Sequence, residues 1–120
     1  MKILVVDDDA LAAEMVCAIL EHDNYQGIVA ENVVEAFECL QQHPDIKLII
    51  SDMNMPLISG IDFFRELKAQ QSELPFILLT GDNPATLLEV EPALSHCLAK
   101  DFALTETLPE LVAEALTSVN

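Results

Sequence analysis

Five short apolar runs, each followed by an amphipathic stretch of helical spacing, constrain this chain more than any other feature of its sequence. The runs are KILVV (2–6), GIVA (27–30), KLIIS (47–51), PFILLT (75–80) and HCLA (96–99). They are continuous rather than alternating in hydropathy, the pattern of strands covered on both faces. After the first run, Ala12, Met15, Val16 and Ile19 recur at i, i+3, i+4, i+7, predicting an amphipathic helix. Asn32 with Glu35 three residues on marks a second helix start, with Val33, Ala36, Phe37 and Leu40 inward and Pro44 closing it. Ser59-Gly60-Ile61-Asp62 opens a third, with Ile61, Phe64 and Leu67 inside. Asn83-Pro84 opens a short fourth carrying Leu87, Leu88 and Val90, which Pro92 stops. Thr107-Leu108-Pro109-Glu110 reads as a capping box opening a fifth, with Leu108, Leu111, Val112, Ala115 and Val119 on one side. Five βα units without a long linker predict one domain over residues 1–120, a doubly wound α/β fold on a five-stranded parallel sheet. In such sheets ligands bind at the carboxyl ends of the strands.

Composition narrows the function classes. With 5 basic and 21 acidic residues among 120, the formal charge is −16, which repels a phosphate backbone and disfavours direct nucleic-acid binding. The same excess suits a divalent cation or a basic partner surface. No apolar run approaches the length of a membrane span, and the N-terminal run is too short for a signal-peptide core, so a cytoplasmic protein without a membrane partner is expected. Cys17, Cys39 and Cys97 lack C-x-x-C spacing, and His22, His43 and His96 stand apart. Free thiols are expected, and no histidine metal site.

The polar residues at the strand exits carry the chemistry. Strand one exits at Asp7-Asp8-Asp9, strand three at Asp52, strand four at Thr80-Gly81 and strand five at Lys100. One aspartate of the triplet is enough to cap the next helix, which leaves two carboxylates beside Asp52 without a local use. Like charges that close are destabilising without a cation, and two or three carboxylates with room for waters suit Mg²⁺. An aspartate can carry an acyl phosphate, while Mg²⁺, a lysine ammonium and a threonine hydroxyl can neutralise or bond its oxygens. Gly81 leaves space for an incoming group.

Through ILVVDDD (3–9), LIISDMNMPLISG (48–60), FILLTGD (76–82) and LAKDF (98–102), the chain resembles the receiver domain of bacterial two-component response regulators, along essentially its whole length. The resemblance implies a flavodoxin-like (βα)5 sheet in the order 2-1-3-4-5. It implies that Asp52 is the phospho-acceptor, that Asp8, Asp52 and the backbone carbonyl of Asn54 bind Mg²⁺, and that Asp7 assists through a metal-bound water. Thr80 and Lys100 would contact the phosphoryl group, and Met55-Pro56 with Gly60 would form the turn after the acceptor. The implied partners are a sensor histidine kinase or histidine phosphotransfer protein upstream, and a downstream protein or fused output domain. Output would follow from a shift of the face built by the fourth helix, fifth strand and fifth helix. No turnover of a free substrate is expected.

Two positions depart from the family pattern. The switch position three residues before the lysine, usually aromatic, is Cys97, and the usual proline after the lysine is Asp101. A trans bond, a somewhat repositioned Lys100 and pairing between Asp101 and Lys100 are therefore expected. Two other classes fit less well: an aspartate-nucleophile phosphatase would show D-x-D-x-T after strand one, where Ala10 and Leu11 follow Asp9, and three aspartates would repel a flavin phosphate. A receiver-like docking module that is never phosphorylated retains the same fold.

Overall fold

All ten expected elements form: β1 (Lys2–Val6), α1 (Ala10–His22), β2 (Gln26–Ala30), α2 (Val33–Gln42), β3 (Ile46–Asp52), α3 (Gly60–Ala69), β4 (Phe76–Thr80), α4 (Pro84–Val90), β5 (Cys97–Ala99) and α5 (Leu104–Thr117). They are seen in a computed structural model that describes residues 1–94, 96–101 and 103–117. The strands are parallel and ordered β2-β1-β3-β4-β5, the expected doubly wound arrangement. Side chains alternate across each strand, so the sheet separates two apolar layers. Helices α2, α3 and α4 pack on one, against Leu4, Val6, Ile49 and Leu78. Helices α1 and α5 pack on the other, against Ile3, Val5, Ile50, Ile77 and Leu79. Among the described residues no helix is long and apolar enough to cross a membrane.

The helix starts follow their caps. Asn32 Oδ1 accepts from the Glu35 N–H at 2.9 Å, but the Glu35 carboxylate bonds the N–H of Glu31, one residue before the expected partner. Ser59 Oγ accepts from the Asp62 N–H, and Asn83 Oδ1 from the Ala85 N–H, with Pro84 at the first helical position.

Four local expectations are corrected. The buried stripe of α1 is Ala13, Val16 and Leu20, and Met15 stands 51% exposed. Almost every position of this helix is apolar, so two neighbouring stripes read equally well. Phe63, absent from the expected face of α3, is fully buried and packs edge-on to Phe37 and Phe76. Helix α5 begins at Leu104 rather than at the Thr107 box, and Pro109 lies inside it. Burial of Leu104 and Leu108 together outweighs the one hydrogen bond that proline removes. In α4, Val90 faces solvent and Leu87 is the buried anchor. Val119 of the expected α5 face lies outside the described residues.

Gly60 fixes how α3 meets the sheet. A Cβ there would stand 2.5 Å from the Asp52 carbonyl oxygen and 2.5 Å from Leu78 Cδ1, while the Gly60 N–H bonds the Met53 carbonyl at 2.8 Å. Backbone cannot yield as a flexible side chain does, so the helix seats against the end of β3 only with glycine here. Gly60→Ala is expected to cost about 1–3 kcal/mol through overpacking, and Phe63→Ala about 3–5 kcal/mol through cavity formation. Met15→Ala should stay within about 0.5 kcal/mol, all three read from urea denaturation midpoints at constant m.

Candidate functional site

Strand register brings the expected residues together. Val6 pairs with Ser51, so the next residues on β1 and β3, Asp7 and Asp52, leave the sheet side by side. Thr80 pairs with Ala99, and the Lys100 N–H bonds the Thr80 carbonyl at 2.7 Å, carrying Lys100 to the same end. The ammonium of Lys100 lies 2.9 Å from Asp7 Oδ2 and 3.1 Å from Asp52 Oδ1. A single cation thus bridges two carboxylates that are 3% and 7% exposed.

The aspartate triplet divides its work. Asp9 caps α1, its Oδ1 accepting from the N–H groups of Leu11 and Ala12. Asp7 is buried, and its Oδ1 accepts from the Asp9 N–H at 2.9 Å. Asp8 is exposed, and one oxygen from each of Asp7, Asp8 and Asp52 lie within 4.8 Å of one another. Such an all-oxygen donor set, open on one side, fits a hard divalent cation that keeps several waters.

Burial pushes the Asp52 carboxyl above the ordinary aspartate value, against the hydrogen bond and charge of Lys100 and the backbone N–H of Asn54. For Lys100 burial acts downward, but its hydrogen bonds to Asp7 and Asp52 prevail and hold the ammonium above its usual value. The ammonium therefore stays charged among its carboxylates.

Thr80 is fully buried, and its Oγ1 accepts from the Asp82 N–H at 3.0 Å. That bond leaves the hydroxyl proton free to donate. A Cβ at Gly81 would meet nothing within 4 Å, in keeping with the open space expected there. Asn54 and the loop through Ser59 form a shallow cavity with Asp8. Cys97 is half-buried on the α4 side of the sheet and in register with Leu78, so it stands on the face of Thr80 one step below it. Burial pushes its thiol up, which keeps it protonated and apolar.

One expectation is overturned. The Asp101 carboxylate accepts from the Ala103 N–H at 3.0 Å, and Lys100 pairs with Asp7 and Asp52 instead. A turn-forming bond two residues along competes better for that side chain than a lysine directed into the sheet end. The Lys100–Asp101 bond is trans. Sequence reasoning missed three supports: the Asp82 N–H that orients Thr80, the contact of Gly60 with the Asp52 carbonyl, and Arg65. From α3, Arg65 binds the Glu91 carboxylate at 2.9 Å and the Val90 carbonyl at 3.4 Å, at the end of α4. A single arginine gives no periodic signal, though Gly60 directly after a capping serine is one.

The raised Asp52 value has a signed consequence. The folded state holds that proton more tightly than the unfolded chain, so the associated stability is full below the ordinary aspartate pKa and is lost as pH rises through the folded value. In chelator at pH 7, Asp52→Asn should raise Tm by about 2–4 °C. That difference should shrink as pH falls toward about 4, as differential scanning calorimetry of both proteins at each pH will show.

Comparison with known proteins agrees with this geometry. Residues 3–112 match the response regulator receiver domain family. Chemotaxis protein CheY1 of Helicobacter pylori is 30% identical, over 99% of this chain and 96% of that protein. The response regulator TrrA of Thermotoga maritima, solved in complex with Mg²⁺-BeF, superposes with a TM-score of 0.84 at 30% identity, covering 96% of this chain and 98% of that one. A receiver domain protein from Clostridium thermocellum has a TM-score of 0.84 at 28% identity, over 98% of this chain and 94% of its own. Matched along nearly its full length, and with the strand exits arranged as above, the chain belongs to the receiver domains of two-component response regulators.

Proposed function

We propose that the chain is a phosphorylation-controlled switch in which Asp52 takes a phosphoryl group from a partner phosphohistidine and later loses it to water. The observation that carries this reading is the Lys100 bridge between Asp7 and Asp52, with the exposed Asp8 completing an oxygen cluster. In the transfer step an Asp52 carboxylate oxygen forms a bond to phosphorus as the phosphorus–nitrogen bond breaks, and the imidazole keeps the electron pair and gains a proton. In the reverse phase water attacks the acyl phosphate and releases inorganic phosphate, restoring the carboxylate. Neither phase turns over a free substrate in the manner of an enzyme.

Each side chain has a part that its position supports. Lys100, already held by hydrogen bonds toward Asp52, stays charged and can follow the phosphoryl oxygens as they arrive. Thr80, fixed by the Asp82 N–H, has its hydroxyl proton to donate to another oxygen. Asp8 and Asp52, with the Asn54 carbonyl and with Asp7 through a water, would hold Mg²⁺. When bound, the ion offsets the charge of the carboxylates and of the phosphoryl oxygens. Donors would be a histidine kinase or a histidine phosphotransfer protein, and a downstream protein or fused domain would read the α4–β5–α5 face. A cytoplasmic location suits such donors. At the switch position Cys97 offers a small apolar thiol in place of a ring, so the steric movement available there is reduced.

Incubation of wild type and Asp52→Asn with acetyl phosphate and Mg²⁺, followed by intact-mass measurement, is the direct test. One acid-labile phosphoryl adduct on wild type and none on the variant is expected; an unmodified wild type would favour a docking module. Separately, Mg²⁺ at ten times its Kd should stabilise the fold by about 1.4 kcal/mol. Asp8→Ala should remove most of that increment, seen as a flat melting temperature across the same Mg²⁺ series.

A further inference from the structure

The loop between the acceptor strand and α3 holds one residue in a conformation its side chain does not favour. Leu57 has φ 76°, and the Ile58 N–H bonds the Pro56 carbonyl across it at 2.9 Å. Positive φ with an i→i+2 bond is a rare and strained γ-turn, easier for glycine or asparagine than for leucine. Its neighbours Met55 and Ile58 pack inward against the core. Leu57 is thrown outward and is 93% exposed, the most exposed of the large apolar side chains among the described residues, on the loop that shares a cavity with Asp8. A lone exposed leucine is ordinary, but one held out on a strained turn beside a chemical site is not.

Its surroundings indicate what would cover it. Leu11, in the first turn of α1 directly after the aspartate triplet, is 77% exposed. The charges at this end of the sheet are of one sign: Asp8, Asp9, Asp82 and Asp101 are exposed, and Lys100 is engaged by Asp7 and Asp52. No lysine or arginine occurs between residues 3 and 46, and none but Lys100 beyond residue 68. A second copy would bring the same acidic rim, and like charges across an interface oppose association.

We propose that Leu57 is the apolar anchor of a docking surface for the phosphohistidine-bearing protein that donates to Asp52, and that this partner offers an apolar notch flanked by lysine or arginine. The proposal rests on the phospho-acceptor reading above and extends it to the donor's chemistry. Apolar contact supplies the hold, and the acidic rim supplies encounter rate and orientation.

The test compares wild type, Leu57→Asn and Leu57→Met with two kinds of donor. One is acetyl phosphate with Mg²⁺; the other is the set of histidine kinases from the source genome, each phosphorylated beforehand with ATP. Asparagine tolerates a positive φ better than leucine does but removes the apolar group. With the fastest kinase, Leu57→Asn should lower kcat/KM about tenfold, mainly through KM, while the acetyl phosphate rate stays within about twofold. Leu57→Met should keep most of the transfer, and added NaCl should slow the wild-type kinase reaction but not the small-donor reaction. Equal transfer to Leu57→Asn and wild type would overturn the proposal. So would a parallel fall with acetyl phosphate, which would make Leu57 a support of the loop. A concentration-dependent wild-type dimer lost in Leu57→Asn would assign the surface to a second copy and also overturn it. Modification of wild type by acetyl phosphate but by no kinase would overturn the docking proposal and leave the acceptor reading standing; modification by neither would remove both.

Discussion

The ammonium of Lys100 between Asp7 and Asp52 is the interaction on which the functional end of this molecule depends. Two nearly buried carboxylates on adjacent strands repel each other, and burial already penalises the charge of Asp52. Lys100 offsets part of both effects at 2.9 and 3.1 Å, and because it follows β5 it also draws the shortest strand to the ends of β1 and β3. Removing the cation would leave uncompensated buried charge, the costly way to break an ion pair.

The strand that carries Asp52 is tied as firmly on its other side. Gly60 lets α3 rest on the Asp52 carbonyl, and the chain's single arginine, Arg65, joins the same helix to the end of α4. Helix α4 begins just past Thr80, whose hydroxyl is held by Asp82. Asp52, Thr80 and α4 therefore share one set of contacts. Helix α4 itself buries little beyond Leu87, so it has little apolar packing to lose in moving.

Most of the fold was legible because strand and helix periods differ and because Asn32, Ser59 and Asn83 cap the helices they precede. What failed did so where local signals were degenerate. In α1 the apolar residues outnumber the positions of one face, so the inward stripe, Ala13, Val16 and Leu20, depended on how the cap set the helix phase. In α5 a convincing box at Thr107 lost to Leu104, which the core buries one turn earlier in phase with Leu108. In the site, the convergence of Asp7, Asp8, Asp52, Thr80 and Lys100 followed from the rule that strand exits share one end of a parallel sheet. Their separate duties did not.

The sequence by itself determined the five βα units, the single layer order they permit, and an acidic strand end with one lysine among its carboxylates. Those properties rest on local periodicity and on charge, which the order of residues carries directly. Only the tertiary structure decided that Asp9 caps, Asp7 binds the lysine and Asp8 faces water, because three adjacent carboxylates differ only in where the turn points them. It also decided that Asp101 turns to Ala103 and that Leu57 stands out on a strained turn. Backbone direction at the end of a strand is set by packing elsewhere, by Gly60 under α3 and by Met55 and Ile58 in the core, and no single residue in the loop announces it.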